Sequence, residues 1–315
     1  MPHRIACALL LLCALPAASA TDFFAVRNDN QLARALALPE LAPRAPQAGQ
    51  LDFGASFDLI SEFANLQAPG ERLIADGEIY KLALSASGRY SARSFWSVRL
   101  PLLHQGGGFM DSIIVDWHDF FGLPQGGRDQ VRNDQYRFFY ERDGEVLLDV
   151  QDGGNRLGDL EVAWHLMPAQ DWLLGVQLRA PTGDGDKLSG GGAWGAALWV
   201  TRTLRAGPVS GFLSAGSSFN ERGDVLPDQQ RRVTPFGGAG LGLDLTNWLT
   251  GLVQIYAHRA PYTDSRIEAL ARDSVQLSVG GVFRLGATTR LHLLFQEDLG
   301  VHASPDFSMQ AALYW

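Results

Sequence analysis

Leu51-Asp52-Phe53-Gly54-Ala55-Ser56-Phe57-Asp58-Leu59 places an apolar side chain at every second position. Leu51, Phe53, Ala55, Phe57 and Leu59 share one side; Asp52, Ser56 and Asp58 share the other. A period of two marks a β-strand whose faces meet different surroundings. The same alternation returns along the chain. Tyr80, Leu82, Leu84 and Ala86 alternate with Lys81 and Ser85, and Trp96, Val98, Leu100 and Leu102 with Ser97 and Arg99. Leu160, Val162, Trp164 and Leu166 alternate with Glu161 and His165, and Trp172, Leu174, Val176 and Leu178 with Gln177 and Arg179. Val275, Leu277, Val279 and Phe283 follow the rule, as do Leu291, Leu293 and Phe295, then Phe307, Met309, Ala311, Leu313 and Trp315. Segments 193–204, 208–219, 231–245 and 248–259 are richer in Gly and Ala but also read as strands, which makes twelve in all.

The links between these strands alternate in length. Short turns fall at 87–92, 168–171, 205–207, 246–247 and 286–288. Long polar or Gly-rich links fall at 61–72, 104–156, 181–192, 220–230, 260–272 and 300–306. An even strand number, tight turns at one end and long loops at the other predict a closed antiparallel transmembrane β-barrel of the bacterial outer membrane. A soluble sandwich has strands of about 5–6 residues and no such rhythm. Strands of about 9–12 residues suit a tilted crossing of a bilayer, and closure leaves no backbone group unpaired in lipid. Short turns then face the periplasm, together with both chain ends.

The chain ends support this reading. His3 and Arg4, the apolar run from Ile5 to Leu15, and Ala18-Ser19-Ala20 form a Gram-negative secretory signal peptide over 1–20. Both cysteines, Cys7 and Cys13, lie inside it, so a mature chain has no thiol for disulfides, zinc or nucleophilic catalysis. Residues 21–49, rich in Ala, Pro and Leu, form an arm that either stays in the periplasm or plugs the lumen; 50–315 form the barrel. At the other end, Trp315 with Leu313 two residues before it resembles the C-terminal signal read by the barrel-insertion machinery. The net charge of −8 and the absence of a basic run argue against nucleic acid as a partner. Outer-membrane lipid and lipopolysaccharide are the expected surroundings, with Tyr80, Trp96, Trp164, Trp172, Trp194 and Trp248 as girdle aromatics.

The polar row of each strand would line the lumen: Lys81, Arg99, Glu161, His165, Gln177, Arg179, Gln254, His258, Gln276, Arg284, Arg290, His292 and Gln296. Both signs occur without a single-sign ring, which argues against a dedicated ion or phosphate filter. Twelve strands enclose little space once arginines are in place, so a narrow or gated lumen is expected.

The link 104–156 is too long to be a plain connection. Phe109, Ile113, Asp116/Trp117 and Phe120 recur at helical spacing, and Gly122-Leu123-Pro124 ends that helix. Phe138 to Val150 reads as a hairpin turning at Asp143-Gly144. The apolar face of the helix could lie along the membrane surface or fold into the mouth as a lid. His118 between Asp116 and Asp119 is a candidate acid/base cluster; a packed helix whose polar groups fasten the loop is the simpler reading. Two Asp around one His do not make a metal site, and no motif asks for a cofactor. Gly183-Asp184-Gly185-Asp186 lacks the rest of a calcium loop.

Four blocks carry a family resemblance: Phe24 to Leu32; Asp116-Trp117-His118-Asp119-Phe120-Phe121-Gly122-Leu123-Pro124-Gln125-Gly126-Gly127-Arg128; Leu157-Gly158-Asp159-Leu160; and Pro181-Thr182-Gly183-Asp184. Together they resemble the uncharacterised bacterial outer-membrane proteins grouped as domain of unknown function 3187, over nearly the whole mature chain. Trp117, His118, Asp119, Phe121, Gly122, Leu123, Pro124 and Arg128 belong to its most specific block. The resemblance implies an outer-membrane barrel and no particular activity. Three functions stay open: porin-like passage of a small solute, with 104–156 as lid or constriction; modification of outer-membrane lipid or lipopolysaccharide using His118 with Asp116 or Asp119; and a closed structural or adhesive barrel.

Overall fold

The computed structural model describes residues 22–122, 128, 132–299 and 303–315. Its strands are β1 (Leu51–Ala68), β2 (Glu71–Ser91), β3 (Ser94–Gly106), β4 (Arg137–Arg142), β5 (Glu145–Val150), β6 (Gly154–Leu157), β7 (Leu160–Ala169), β8 (Trp172–Ala180), β9 (Gly195–Ala206), β10 (Val209–Asn220), β11 (Val233–Asp244), β12 (Leu249–His258), β13 (Ser274–Arg284), β14 (Arg290–Asp298) and β15 (Phe307–Tyr314). Helix α1 spans Met110–Phe121 and α2 Glu268–Ala271. Twelve of these strands, all but β4, β5 and β6, pair antiparallel with their neighbours in a ring. Gly54 opposite Tyr314 through Ser61 opposite Phe307 joins the first strand to the last. Ser94 opposite Leu166 through Arg99 opposite Glu161 joins β3 to β7 across the long loop. The expected twelve-stranded barrel is therefore the fold.

Burial is inverted relative to a water-soluble protein. Along β8, Trp172, Leu174, Val176 and Leu178 are exposed while Leu173, Gly175, Gln177 and Arg179 are buried. Exposed apolar rows of this kind suit lipid, where no hydrophobic penalty attaches to them. The expected girdle residues Trp164, Trp172, Trp194 and Trp248 are exposed on this outer surface.

Two features depart from the sequence expectation. The link 61–72 is strand, not loop: β1 and β2 run on as an 18- and a 21-residue pair to a turn at Pro69-Gly70. From Ile60 to Ala64 five successive residues are buried. Both faces are covered there, so the alternation that announces a one-sided strand is lost. The second departure is β6, a short strand inside the 104–156 link that pairs with the end of β3. The hairpin β4–β5 is as expected and adds to the protruding half of β2, Glu71 opposite Arg142 through Asp76 opposite Arg137. Its turn has Asp143 and Gly144 both at positive φ, the geometry an Asp-Gly hairpin turn requires.

The interior is layered. Near the short turns Phe95, Leu173, Phe212, Leu252, Val282 and Leu294 point inward and pack with Phe23, Phe24 and Leu41 of the N-terminal arm. At the long-loop end a second apolar cluster joins Leu32 of the arm to Leu73, Phe138, Tyr140, Leu226, Tyr262 and Leu270. Between these clusters lie the charged side chains.

Candidate functional site: a lumen filled by the N-terminal arm

Residues 22–46 run up the inside of the barrel, turn, and run back down. The ascending run is held by side chains that act on its backbone as a neighbouring strand would. Gln254 accepts from the Phe24 N–H at 2.6 Å and donates to the Phe24 carbonyl at 3.3 Å. Phe23 meets Phe212 edge to face at 4.7 Å, and His292 lies against Phe24 at 6.0 Å. Gln296 donates to the Arg27 carbonyl at 3.1 Å and to Gln276 at 2.7 Å. Asn28 bonds His258 at 2.8 Å and donates to the Ala303 carbonyl at 2.8 Å.

The turn is a one-turn 3₁₀ helix, Leu32–Ala35. Asn30 caps it by accepting from Leu32 N at 2.9 Å. At this apex the Gln31 N–H donates to the buried Glu62 at 2.8 Å. On the way down, Arg179 donates to the carbonyls of Arg34 (2.6 Å) and Ala35 (3.0 Å), Asn220 accepts from Ala37 N at 2.9 Å, and Tyr256 donates to the Pro39 carbonyl at 3.2 Å. Thr201 bonds the Leu41 carbonyl. Arg89 reaches the Pro46 carbonyl beside the first strand. Asp22 joins the two runs at the foot, 3.3 Å from Arg44 and 3.2 Å from Arg290 of β14.

The charged middle layer is a ladder of ion pairs between arm and wall. Arg27 meets Glu161 at 2.5 Å. Asp29 pairs with Lys81, which also lies 3.5 Å from Asp58, and Glu40 pairs with Arg99. Burial works against a charge on Asp29, but Lys81, Arg27 and Arg34 around it hold its carboxyl well below the usual carboxylate range. Arg179 also faces Asp159 at 3.4 Å. A cavity of about 120 Å³ remains between arm and wall, bordered by Glu40, Arg99, His165, Trp199 and His292. A larger one of about 540 Å³ lies beside the short turns, against Arg44, Arg89, Arg93 and Asp171.

Of the polar row read from the sequence, Lys81, Arg99, Glu161, Arg179, Gln254, His258, His292 and Gln296 converge on the arm. His165 stacks on Phe95 at 4.3 Å and meets Ser97 at 3.1 Å, while Gln177 and Gln276 are buried on the same inward face. Arg284 stands apart at the short-turn rim, bonded to Asp244 at 3.1 Å and Thr250 at 2.8 Å. Sequence reading missed Asp58, Glu62, Asn220, Thr201 and Tyr256. Tyr256 had a signal: it sits between Gln254 and His258 in one alternating row. Trp315 and Leu313 are exposed on the outer surface, and Trp315 exchanges backbone hydrogen bonds with Phe53 at 2.9 Å.

The candidate acid/base cluster sits elsewhere. Asp116 and Asp119 are exposed on α1. Trp117, His118 and Phe121 belong to the same helix, but their side chains lie outside the described residues, as do Leu123 and Pro124. Gly122 at φ +67° ends the helix. Arg128 is buried between Asp111 and Asp306, 2.6 Å from the latter, with its guanidinium 4.7 Å over the Phe63 ring; it fastens the loop to the wall. Among the described residues no cluster of potential metal ligands occurs.

The family described as a protein of unknown function (DUF3187) matches residues 6–314. No curated protein matches the chain. Among solved structures, an outer membrane channel of Pseudomonas putida F1 is similar with a TM-score of 0.54 and 15% identity, over 86% of this chain and 96% of that one. The NanC porin has a TM-score of 0.45 and 8% identity, over 84% and 98% of the two chains. The Ralstonia pickettii toluene transporter TbuX has 0.41 and 8%, over 85% and 89%. At such identities the likeness is one of fold. The chain belongs to the DUF3187 family, and its fold is that of an outer-membrane β-barrel channel.

Proposed function

We propose that this protein passes a small solute across the outer membrane through a lumen that its own N-terminal arm closes at rest. After removal of residues 1–20 the arm starts on the periplasmic side, where the short turns lie, and reaches up the barrel from there. The observation that carries this reading is the ion-pair ladder between arm and wall. A barrel interior filled once and for all gains little stability from buried charge, since apolar residues of similar volume often serve as well or better. Charged and amide side chains on the wall suit an interior that is also wet when the arm withdraws. The cavities beside the arm mark where packing is incomplete. The constriction assigned from sequence to 104–156 belongs, in this reading, to the arm.

Single-channel conductance in a planar bilayer tests this. The intact refolded protein is expected to be silent or to open rarely, and a variant lacking residues 22–45 to conduct steadily. A deletion variant that keeps the heat-modifiable mobility of a folded barrel yet stays silent would overturn the proposal.

A further inference from the structure

Helix α1 leaves the barrel on its outside. Tyr80 lies in the outward row of β2, opposite Leu59 of β1 and His104 of β3. Leu59 in turn faces Met309 of β15, which is opposite Phe295 of β14. Met309 and Phe295 are exposed members of the apolar belt, so Tyr80 stands at belt height. The Phe109 ring stacks on Tyr80 at 6.5 Å, and Phe57 stacks on the same ring, also at 6.5 Å. The helix thus begins against the lipid-facing wall and not over the pore.

Its orientation is pinned. Glu78 of β2 accepts from the Phe109 N–H at 3.0 Å and bonds the Met110 N–H, capping the helix start. The second oxygen of Glu78 accepts from the Tyr80 hydroxyl at 2.8 Å. Gly108, at φ +70°, leaves no room for a side chain beside Glu78. Asp111 turns the other way, accepting from Asp134 N at 2.7 Å and binding Arg128.

With these anchors the helix has three sectors. Met110, Asp111 and Ile114 are buried against the protein. Phe109, Ile113 and Phe120 are exposed at 54%, 50% and 82%, and at 3.6 residues per turn they fall within roughly 40° of one another. Ser112, Asp116 and Asp119 are exposed along the adjoining polar side. A face for protein, a face of bulky apolar groups and a polar face suit a helix that lies at a membrane boundary. We infer that α1 is an interfacial helix that lays Phe109, Ile113 and Phe120 into the acyl chains of the outer leaflet, continuing the lipid belt of the barrel. The inference stands apart from the gating reading above.

Both cysteines, Cys7 and Cys13, lie in residues 1–20, so in protein refolded without that segment single thiols are placed freely. Nitroxide labels on Ile113→Cys and Phe120→Cys, with Ser112→Cys and Asp116→Cys for comparison, are read in phospholipid bilayers against oxygen and a water-soluble nickel chelate. The first pair is expected to favour oxygen, at a depth of about 5–10 Å into the boundary between headgroups and acyl chains; the second pair is expected to favour the chelate. A photoactivated apolar diazirine applied to the unsubstituted protein should label the peptide holding residues 109–120 along with β1 and β15. Chelate access at all four positions, shielding of 113 and 120 from both quenchers, or diazirine labelling of the strands without the helix would each overturn the inference.

Discussion

Lys81 shows what one residue contributes to this interior. Its side chain is 1% exposed and serves two carboxylates, Asp29 of the arm and Asp58 of the wall. Removing it strands both in a dry layer, and breaking a buried pair from one side costs about 3–5 kcal/mol. K81M is therefore expected to lower the thermal midpoint and to raise the open probability in bilayers; adding D29N should restore part of the loss, because it removes one stranded charge. Asp29 also contributes to the acid response. Docking lowers its pKa below that of a free arm, so its contribution is whole above the ordinary carboxylate value, about 4, and fades only as pH falls below that toward the docked value. D29N should therefore remove the part of the acid-induced rise in protease access to the arm that falls below about pH 4. An unchanged rise below about pH 4 in D29N would assign the latch to another group.

At the scale of elements, the long loop divides into parts with separate supports. The hairpin β4–β5 extends the protruding half of β2, whereas α1 is tied through Glu78 and through Arg128. Arg128 reaches Asp111 on the helix and Asp306 just before β15, and so bridges two loops. R128Q should free the segment between α1 and β4, raising its cleavage by trypsin or proteinase K while conductance and barrel folding stay unchanged. Loss of the barrel itself in R128Q would show that the bridge acts during closure. The inner apolar foot was illegible for an element-level reason. Pairs such as Leu173-Leu174 and Leu293-Leu294 carry apolar residues on both faces; parity turns Leu173 and Leu294 inward with Gln177 and His292 but gives no sign that an apolar layer forms there. Only the packing of Leu173 and Leu294 with Phe23, Phe24 and Leu41 shows what that inward layer meets.

For the whole molecule, closure rests on the pairing of β1 with β15, in which the arm has no part; this is why removing residues 22–45 should leave a folded barrel and an altered conductance. Membrane fold, strand number, the link lengths other than the one expected at 61–72, the helix and the hairpin were legible in the residues, because each is a local pattern: a period of two between lipid and a polar interior, a helical period, or an Asp-Gly turn. Much of the candidate site was legible too: Lys81, Arg99, Glu161, Arg179, Gln254 and His258 stand out as polar residues in apolar company. The sequence by itself determined that a twelve-stranded barrel forms and which polar row turns inward, since a period of two needs no partner to be read. Only the tertiary structure decided what fills that interior. Residues 22–46 have no period of their own, and their two passes are set by contacts more than a hundred residues away, from Gln254, Glu161, Arg179 and Asn220. Non-local contacts of that kind leave no mark on the spacing of neighbours along the chain.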